Sequence, residues 1–367
     1  MNITIQKSEL DRIIRTVQAA VPAKPVDRIL SFLRVSVTPD TITVRGTDTE
    51  MTIECTGPCK SDKVGGVCIP SHILAGAVGA MQDGTVSIEV GDTEGTVRRA
   101  KVSMGRNAYR INCIGTEKFP VDGADDTGHA FRIPSDAFRT MLRQVLHSVC
   151  RDKTHHSLFG VHLETDGRSI DCVATDGKTL SMVRREGEFP KMSITLPFKV
   201  ATELSSIAPS EGDVEMSFND SCAIFRFDKT NCTIRTKLVD GDFARYRLVL
   251  PAPTNNGIEV NRLEFLGAIN HVSAISREDT RIKMVVYDNA IILNTEDDEY
   301  GAASDEVSVK YDGDYVSISA ANSLLSNQLK AMSSDDFVLE VSENRPLVFR
   351  DRACGYLGIV MPMRSVA

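Results

Sequence analysis

The stretch "AFRIPSDAFRTMLRQVLHSV" (130–149) decides the fold, because the chain repeats its design twice more. "NITIQKSELDRIIRTVQAAV" begins at residue 2 and "GIEVNRLEFLGAINHVSAIS" begins at residue 257. Each copy has a short alternating run, typical of a strand, and then apolar residues at helical spacing. Ser8, Ser135 and Asn261 stand where each helix would have its N-cap. The pattern predicts a strand followed by a helix at each of the three places.

A second strand–helix unit follows in every copy: "VCIPSHILAGAVGAM" (67–81), "ITLPFKVATELSSI" (194–207) and "VSISAANSLLSNQL" (316–329). Alternating, β-branched runs then close each copy, which indicates paired strands. The sequence therefore predicts an α+β fold of three tandem similar domains, each with two helices packed on antiparallel sheets. Linker-like segments near 123–128 and 251–257 place the predicted domains at 1–127, 128–254 and 255–367.

Composition narrows the functional class. Lys and Arg number 42 against 50 Asp and Glu, so the net charge is −8, which argues against a surface coated with nucleic-acid-binding residues. No apolar run is long enough to span a membrane, and the first residues lack the pattern of a signal peptide. The nine cysteines form no CxxC pair, so we expect reduced thiols and a cytoplasmic protein. Cys55, Cys59 and Cys68 lack a fourth ligand at zinc spacing, apart from His72.

The helices carry basic residues opposite their apolar stripes. Over 135–151 the spacing predicts one helix with arginine and histidine every fourth residue on its outer face. The spacing over 8–21 predicts a second helix that also has arginines on its outer face. An exposed face that is simply charged explains this, and so does a face that meets phosphates. The second interpretation is favoured because the chain as a whole is acidic, yet it concentrates arginine on these helix faces. Positive and negative charge would then lie on different parts of the surface. The predicted DNA-facing residues are Arg12, Arg15, Lys24, Arg139, Arg143, His147 and Arg151.

The sequence holds no recognisable catalytic motif. A P-loop, a GxGxxG fingerprint, a GxSxG elbow and an HExxH pair are all missing from it. "VATDGKTL" (173–180) suggests a phosphate loop, a metal-binding aspartate or a tight turn. Its Thr-Asp pair has counterparts in "GTDTE" (46–50) and "NTEDD" (294–298), and catalytic groups rarely recur in every copy of a duplicated domain. We therefore interpret the acid as turn chemistry, and we expect no active site, no cofactor and no metal.

Three segments carry a resemblance to a known family: "VATDGKTL" (173–180), "KLVDGDFARYRLVLP" (237–251) and "MPMR" (361–364). With the three-module layout, they resemble the bacterial DNA polymerase III β subunits, the sliding clamps, over the whole chain. The resemblance implies the DNA clamp fold and a ring-shaped, head-to-tail homodimer whose helices surround duplex DNA. It also implies a processivity factor without catalysis, which binds the polymerase III alpha subunit, the clamp loader delta subunit and other clamp-motif proteins.

The resemblance also implies sites. A dimer contact would join Tyr109 and Ile111 to Ala274 and Ile275 of the second copy, unless these are residues of the intramolecular core. A pocket between the second and third domains would take a glutamine- and leucine-containing peptide. Its walls would be Leu158, Thr175, Gly177, Lys178, Thr179, Leu180, Val249, Pro346, Ile359, Val360, Met361, Pro362, Met363 and Arg364.

The chain departs from the family pattern at three positions of this region. Thr179 replaces an arginine, Ala244 replaces a proline and Leu248 stands where arginine is frequent, and three residues follow "MPMR". We therefore expect a somewhat different peptide preference, or a pocket narrowed by the tail. Two other functional classes remain to be weighed: an enzyme on a repeated α+β scaffold, and a β-rich adhesion module. The first lacks a catalytic constellation, and the second lacks export signals and aromatic platforms.

Overall fold

The computed structural model describes residues 1–91, 98–120, 128–152, 154–155, 158–252, 257–275, 281–297, 299–343 and 345–363, without the side chain of residue 129. The chain divides into two compact units. The first contains Met1–Arg139 and Glu203–Leu238, and the second contains Thr140–Thr202 and the chain from Val239 onward. Two of the three divisions fall inside helices, α3 and α4, which span Ser135–Val145 and Phe198–Ile207, and the third follows β17.

The first unit holds two antiparallel sheets. Its strands are β1 Asn2–Gln6, β2 Phe32–Val37, β3 Thr41–Thr47, β4 Met51–Pro58, β5 Lys60–Lys63, β6 Gly65–Pro70, β7 Thr85–Val90, β8 Arg98–Met104, β9 Asn107–Cys113, β10 His129–Pro134, β15 Asp213–Phe218, β16 Cys222–Phe227 and β17 Cys232–Lys237. One sheet has the order β5-β1-β7-β8-β9, and the other has the order β10-β15-β16-β17-β4-β3-β2-β6. Helices α1 (Lys7–Gln18) and α2 (Ser71–Gly79) also belong to this unit.

The second unit also holds two antiparallel sheets. Its strands are β11 Val161–Thr165, β12 Ser169–Thr175, β13 Thr179–Glu186, β14 Met192–Leu196, β18 Ile258–Asn261, β19 Arg281–Tyr287, β20 Ala290–Asp297, β21 Gly301–Ser308, β22 Val316–Ala321, β23 Asp336–Glu340, β24 Leu347–Asp351 and β25 Tyr356–Val360. The sheet orders are β14-β11-β12-β13-β25-β24-β23-β18 and β21-β20-β19-β22. Helices α5 (Arg262–Ser273) and α6 (Asn322–Ala331) complete the unit.

The strand–helix pattern of the sequence is confirmed, but the predicted helix ends need correction. At Asn261 the side chain accepts from Glu264 N at 3.1 Å, as expected of an N-cap. Ser8 lies inside α1, which begins at Lys7. Helix α3 begins at Ser135 and ends at Val145, where a 3-10 turn takes over for Leu146–Ser148. The single helix predicted over 135–151 is therefore wrong for its last turn.

Helix α1 lies very close to its sheet because two strand residues have no side chain. A Cβ at Gly46 would be 2.9 Å from the carbonyl oxygen of Val17, and one at Gly57 would be 2.6 Å from Ile13 Cδ1. The apolar stripe of α1, including Ile13 and Ile14, is fully buried there. Glycine on β3 and β4 thus allows the close helix–sheet packing.

The compact units do not follow the threefold sequence repeat, because two sheets continue across the predicted domain junctions. In the first unit β17 pairs with β4, with Cys232 opposite Cys55. In the second unit β13 pairs with β25, with Leu180 opposite Ile359. The predicted boundaries at 127/128 and 254/255 adjoin residues 121–127 and 253–256, which lie outside the described residues. The boundaries therefore stay a prediction.

The cysteines are free thiols, and eight of them are buried. Burial raises the pKa of Cys68 to about 12 and that of Cys113 to about 11, so these thiols stay protonated and unreactive. Within the described ranges, no helix is long and apolar enough to cross a membrane. In the same ranges, no three His, Cys, Asp or Glu side chains converge to hold a metal ion.

Candidate functional site

The Thr-Asp-Gly segment forms a tight turn between β12 and β13. The Asp176 carboxylate accepts from the backbone N–H groups of Lys178 and Thr179 at 2.9 and 2.6 Å. Gly177 has a φ of +82°, which favours glycine. The Asp48 carboxylate accepts from two backbone N–H groups at 3.0 and 2.7 Å, and Asp297 does so at 2.9 and 3.0 Å. Interpreting the recurring acid as turn chemistry is therefore correct.

The residues that follow this turn border a buried apolar cluster. Leu180 and Ile359 face each other across β13 and β25, and both belong to a cluster that also contains Val173, Met182 and Tyr246. The segment around Leu250 packs against the same cluster. The linker after residue 243 thus packs on one side of these two strands.

Exposed apolar side chains lie in the two segments that adjoin this cluster, beside Leu250 and after Val360. Val249 is 63% exposed, Met361 is 48% exposed and Met363 is 39% exposed. Backbone bonds hold the methionine segment in place, because Met361 N donates to Lys178 O and Met363 N donates to Ser319 O, both at 2.8 Å. An apolar rim on a buried floor is the kind of surface that an amphipathic peptide covers.

The predicted pocket residues fall into classes by exposure. The buried ones are Thr175, Thr179, Leu180, Ile359 and Val360; Leu180 and Ile359 face the apolar cluster, whereas their neighbours Thr179 and Val360 point to the other side of the sheet. Those that are partly or well exposed can face a ligand: Leu158, Gly177, Lys178, Val249, Pro346, Met361, Pro362 and Met363. Arg364 lies outside the described residues. Thr179, where the family pattern has arginine, is buried, and its hydroxyl donates to Asp176 at 2.9 Å, so it closes the turn.

An ionic cluster fastens the linker to the sheet, and the sequence analysis missed it. Asp171 on β12 is 1% exposed and accepts two bonds from Arg184 at 2.7 Å each. Arg247 also donates to Asp171 at 2.8 Å, and the hydroxyl of Tyr246 donates to Asp171 and to Glu164. Burial, together with the bond to Glu164, raises the pKa of Tyr246. Val249, which is predicted to line the pocket, follows this attachment by two residues.

The sequence contains a signal for this cluster. Asp171 is a carboxylate in the centre of a strand whose residues are all buried, "SIDCVAT". A charge at such a position requires a cationic partner. The signal does not say which cation, because Arg184 and Arg247 come from distant parts of the chain.

A second buried network joins β13, β25 and α6. The hydroxyl of Ser181 contacts Ser148 Oγ at 2.8 Å, His147 Nε2 at 3.1 Å and the hydroxyl of Tyr356 at 3.1 Å. Gln328 accepts from Ser181 and from Tyr356. Burial lowers the pKa of His147 to about 4. His147, predicted to face DNA from an exposed helix face, therefore lies half-buried and neutral beside the sheet.

The buried histidines predict a pH-dependent stability. His147 and His162 both have a pKa near 4 instead of 6.5, because burial penalises their charged forms. The unfolded chain binds more protons than the folded chain between pH 6.5 and 4. The free energy of unfolding should therefore fall as the pH drops through this window, by up to about 3 kcal/mol for each histidine. Urea unfolding at pH 7.0, 5.5 and 4.5 measures it.

A variant separates this effect from the titration of carboxylates. His147→Gln keeps a hydrogen-bonding side chain beside Ser181 but cannot titrate. We expect a smaller loss of stability between pH 6.5 and 4.5 for this variant than for the unaltered chain. An identical pH dependence would show that His147 does not titrate as described.

The basic helix faces are largely paired with acids on the same helix. Arg12 donates to Glu9 at 2.7 Å and also to the carbonyl of Thr230 at 3.2 Å, so it is only partly exposed. Arg15 is 70% exposed and pairs with Asp11 at 2.8 Å.

On α3, Arg139 pairs with Asp136, and Arg143 is exposed. Arg151 lies beyond α3, with its guanidinium 5.0 Å from the ring centre of Phe198. The stripe predicted through Arg139, Arg143, His147 and Arg151 is therefore wrong beyond Arg143, because the helix ends at Val145.

Basic residues are nevertheless more frequent than acidic residues on the helices. The six α-helices of the described residues carry eight Lys or Arg and five Asp or Glu, whereas the whole chain has an acidic excess. The helices are thus mildly basic within an acidic protein. Such a surface attracts phosphates without holding any one of them strongly.

Two strands, one in each unit, lie at the edges of the described sheets. β9 is the edge of its sheet in the first unit, and β21 is an edge in the second. Of the residues predicted for a dimer contact, Tyr109 on β9 is 37% exposed, but Ile111 is 4% exposed. The side chain of Ile111 therefore belongs to the core. Ala274 is exposed and Ile275 is half-buried, just after α5.

The two edges differ in charge. Arg110 on β9 is opposite Lys101 on β8, and Arg99 lies on the same face of this pair of strands. On the other edge strand, β21, Glu306 is exposed and lies opposite Ile292 of β20. Glu296 lies on that same face. A basic edge and an acidic edge are complementary for head-to-tail pairing between copies.

Comparison with known proteins decides the family. Residues 1–122, 132–245 and 247–364 match the profiles of the N-terminal, central and C-terminal domains of the DNA polymerase III beta subunit. The chain belongs to the DNA polymerase III beta subunit family. The "Beta sliding clamp" of Treponema pallidum is 23% identical to the chain, with 100% of each covered. That of Bacillus subtilis is 25% identical over 76% of the chain and 75% of its own length.

Solved beta subunit structures share the fold. The sliding clamp of Bacillus subtilis superposes with a TM-score of 0.92 at 22% identity, covering 100% of this chain and 99% of that one. A Pseudomonas aeruginosa clamp, solved bound to griselimycin, gives a TM-score of 0.92 at 22% identity with full coverage of both chains. The predicted DNA clamp fold of three tandem domains is thus confirmed. As a beta subunit, the chain is a sliding clamp, the processivity factor of a DNA polymerase.

Proposed function

We propose that two copies of this chain close head to tail into a ring around duplex DNA. In this ring, peptide segments of replication and repair proteins bind at the surface formed by Val249, Met361 and Met363. The observation that carries the peptide assignment is the exposed apolar rim on the floor of Leu180 and Ile359. Methionine side chains adapt to different apolar ligands, which suits a surface shared by several partners.

The charges of the edge strands support the head-to-tail arrangement. β9 of one copy would pair with β21 of the other. The sheet face that carries Arg99 and Arg110 would then lie beside the sheet face that carries Glu296 and Glu306. This pairing would also satisfy the open backbone groups of both edges, which otherwise invite aggregation. Tyr109, Ala274 and Ile275 would lie in the contact, with Ile111 supporting it from the core.

The paired helix arginines suit a ring that slides. Phosphates would have to compete with Glu9, Asp11 and Asp136 for Arg12, Arg15 and Arg139, so each contact would be weak and easily exchanged. Arg143 and Lys24 are exposed and would add to the attraction. We infer sequence-independent DNA binding, no catalysis and a cytoplasmic location. The proposed protein partners are the polymerase III alpha subunit, the clamp loader delta subunit and other proteins with the clamp motif.

The pocket assignment predicts a specific loss of peptide affinity. Met363→Ala removes apolar surface from the rim, and we expect the affinity for a glutamine- and leucine-containing peptide to fall about tenfold, or ~1.4 kcal/mol. Fluorescence anisotropy with a labelled peptide measures the affinity. Leu263→Ala is the matched control, because Leu263 is 59% exposed on α5, outside the proposed pocket.

Sedimentation completes this test. Met363→Ala should remain a dimer, because Met363 lies outside the proposed dimer contact. An unchanged peptide affinity, or a variant that dissociates, would refute the placement of the pocket.

A further inference from the structure

The sheet β21-β20-β19-β22 has an exposed face with two tyrosines at one end. Tyr287 is 41% exposed and Tyr315 is 58% exposed, and their ring centres lie 6.1 Å apart at an angle of 40°. Met284 and Val286 of β19 are buried and face the core. Both tyrosines project from the opposite side of the sheet. An exposed pair of large aromatic rings is uncommon unless a ligand covers it.

The apolar surface extends beyond the two rings. Val285 is opposite Ser317 on β22 and Ile292 on β20, so these side chains share the face of Tyr287. Val285 is only 8% exposed although it points away from the core, and Ile292 is partly buried. We call Tyr287, Tyr315, Val285 and Ile292 the tyrosine face.

Acidic residues surround this face. The turn after β19 exposes Asp288, and the loop before β22 exposes Asp312 and Asp314. Glu306, opposite Ile292 on the same face, lies on β21 at the edge proposed to pair with the second copy, so the three aspartates are the acids available beside the rings. The nearby basic side chains are Lys310 and, four and six residues before Tyr287 on the same face of β19, Lys283 and Arg281, so carboxylates predominate beside the rings. Aromatic rings among carboxylates attract arginine and lysine side chains through cation–π contacts and ion pairs.

The tyrosine face continues the surface proposed for the peptide. Ser319 on β22 accepts from the backbone of Met363, and Tyr315 precedes β22 by one residue. Along a strand this separation is about 13 Å, which four or five extended residues would cover. β22 is the strand farthest from β21 in the sheet, so pairing at the β21 edge would leave the tyrosine face accessible.

We propose that the tyrosine face binds a basic segment of the same partner polypeptide whose clamp motif occupies the pocket. This inference rests on the proposed function. The motif would supply the apolar anchor at Met361 and Met363. An adjoining arm with Arg or Lys would lie over Tyr287 and Tyr315 and raise both affinity and selectivity among partners.

The test compares labelled peptides on the full-length chain. One peptide contains the glutamine- and leucine-containing motif alone, and others add six residues rich in Arg and Lys, or in Asp and Glu, to either end. We expect a basic arm at one end to tighten binding about tenfold and an acidic arm to give no gain, because the rings and carboxylates favour cations. The gain should shrink as salt is raised.

Variants assign the gain to the tyrosine face. Tyr287→Ser with Tyr315→Ser should remove the gain and leave binding of the motif alone unchanged, since both side chains are exposed. Asp312→Lys with Asp314→Lys should reverse the preference between basic and acidic arms. An equal gain on the tyrosine variant, or no gain from a basic arm at either end, would overturn the proposal.

Two further outcomes are informative. If the peptide with the motif alone fails to bind and Met363→Ala has no effect, the pocket assignment is refuted. If that peptide binds but a basic arm adds no affinity, only the proposal for the tyrosine face is refuted. If sedimentation shows species larger than a dimer that the tyrosine variant abolishes, the face pairs copies of this chain, and the basic-arm proposal is overturned.

Discussion

Ile275→Asp should convert the dimer into monomers and abolish retention on circular DNA. Ile275 is half-buried after α5, at the proposed contact with Tyr109 of the second copy. An aspartate there would bury an unpaired carboxylate in each interface, at a cost of about 3 kcal/mol, or more than a hundredfold in dissociation constant. Sedimentation at micromolar concentration measures the dimer. Loading onto nicked circles by a clamp loader, with and without linearisation, measures retention.

A control substitution and a charge exchange test whether this result reports on the proposed interface. Leu263→Asp places the same charge on the exposed side of α5, the helix that precedes Ile275, and it should leave both the dimer and its retention intact. Arg110→Glu should weaken the ring, and adding Glu306→Arg should restore it, because a head-to-tail dimer would then pair the exchanged charges in both interfaces. An intact dimer with Ile275→Asp would refute the interface. Equal retention of the unaltered ring on circular and linear DNA would refute topological tethering.

Asp171→Ala should lower the free energy of unfolding and also weaken the peptide site. The substitution removes four hydrogen bonds, from Arg184, Arg247 and Tyr246. Since both arginines are more than one-third exposed and can reach water, we expect a loss of about 2 kcal/mol instead of the larger cost of stranding a buried charge. Urea unfolding measures it.

The peptide measurement distinguishes positioning from general instability. Without Asp171 the linker keeps its bonds to Glu164 but loses those of Tyr246 and Arg247 to Asp171, so Val249 should be held less firmly beside the proposed pocket. The affinity for the motif peptide should fall at temperatures where the variant remains folded. Glu50→Ala is the matched control, because Glu50 and Lys237 form an ion pair at 3.0 Å with both side chains about 60% exposed. This control should change stability by less than about 0.5 kcal/mol.

Local chemistry was predictable where the deciding contacts are close in sequence. The turn at Asp176 is closed by the N–H groups two and three residues later, so its sequence is sufficient to recognise it. The buried stripe of α1 follows from the 3.6-residue period alone. The end of α3 was not predictable in this way, because the apolar spacing continues through Leu146 and Val149 into a 3-10 turn and an extended segment.

The sequence by itself determined the threefold repeat, the strand–helix order and the family, because these depend on periodicity and on short motifs. Only the tertiary structure decided which side chains are exposed at the proposed sites. It brought Asp171 to Arg184 and Arg247, and it placed His147 in a buried network. It also joined strands that are far apart in the chain into sheets that cross the predicted domain junctions. The physical reason is that burial and ion pairing depend on contacts between distant residues, which a local pattern does not specify.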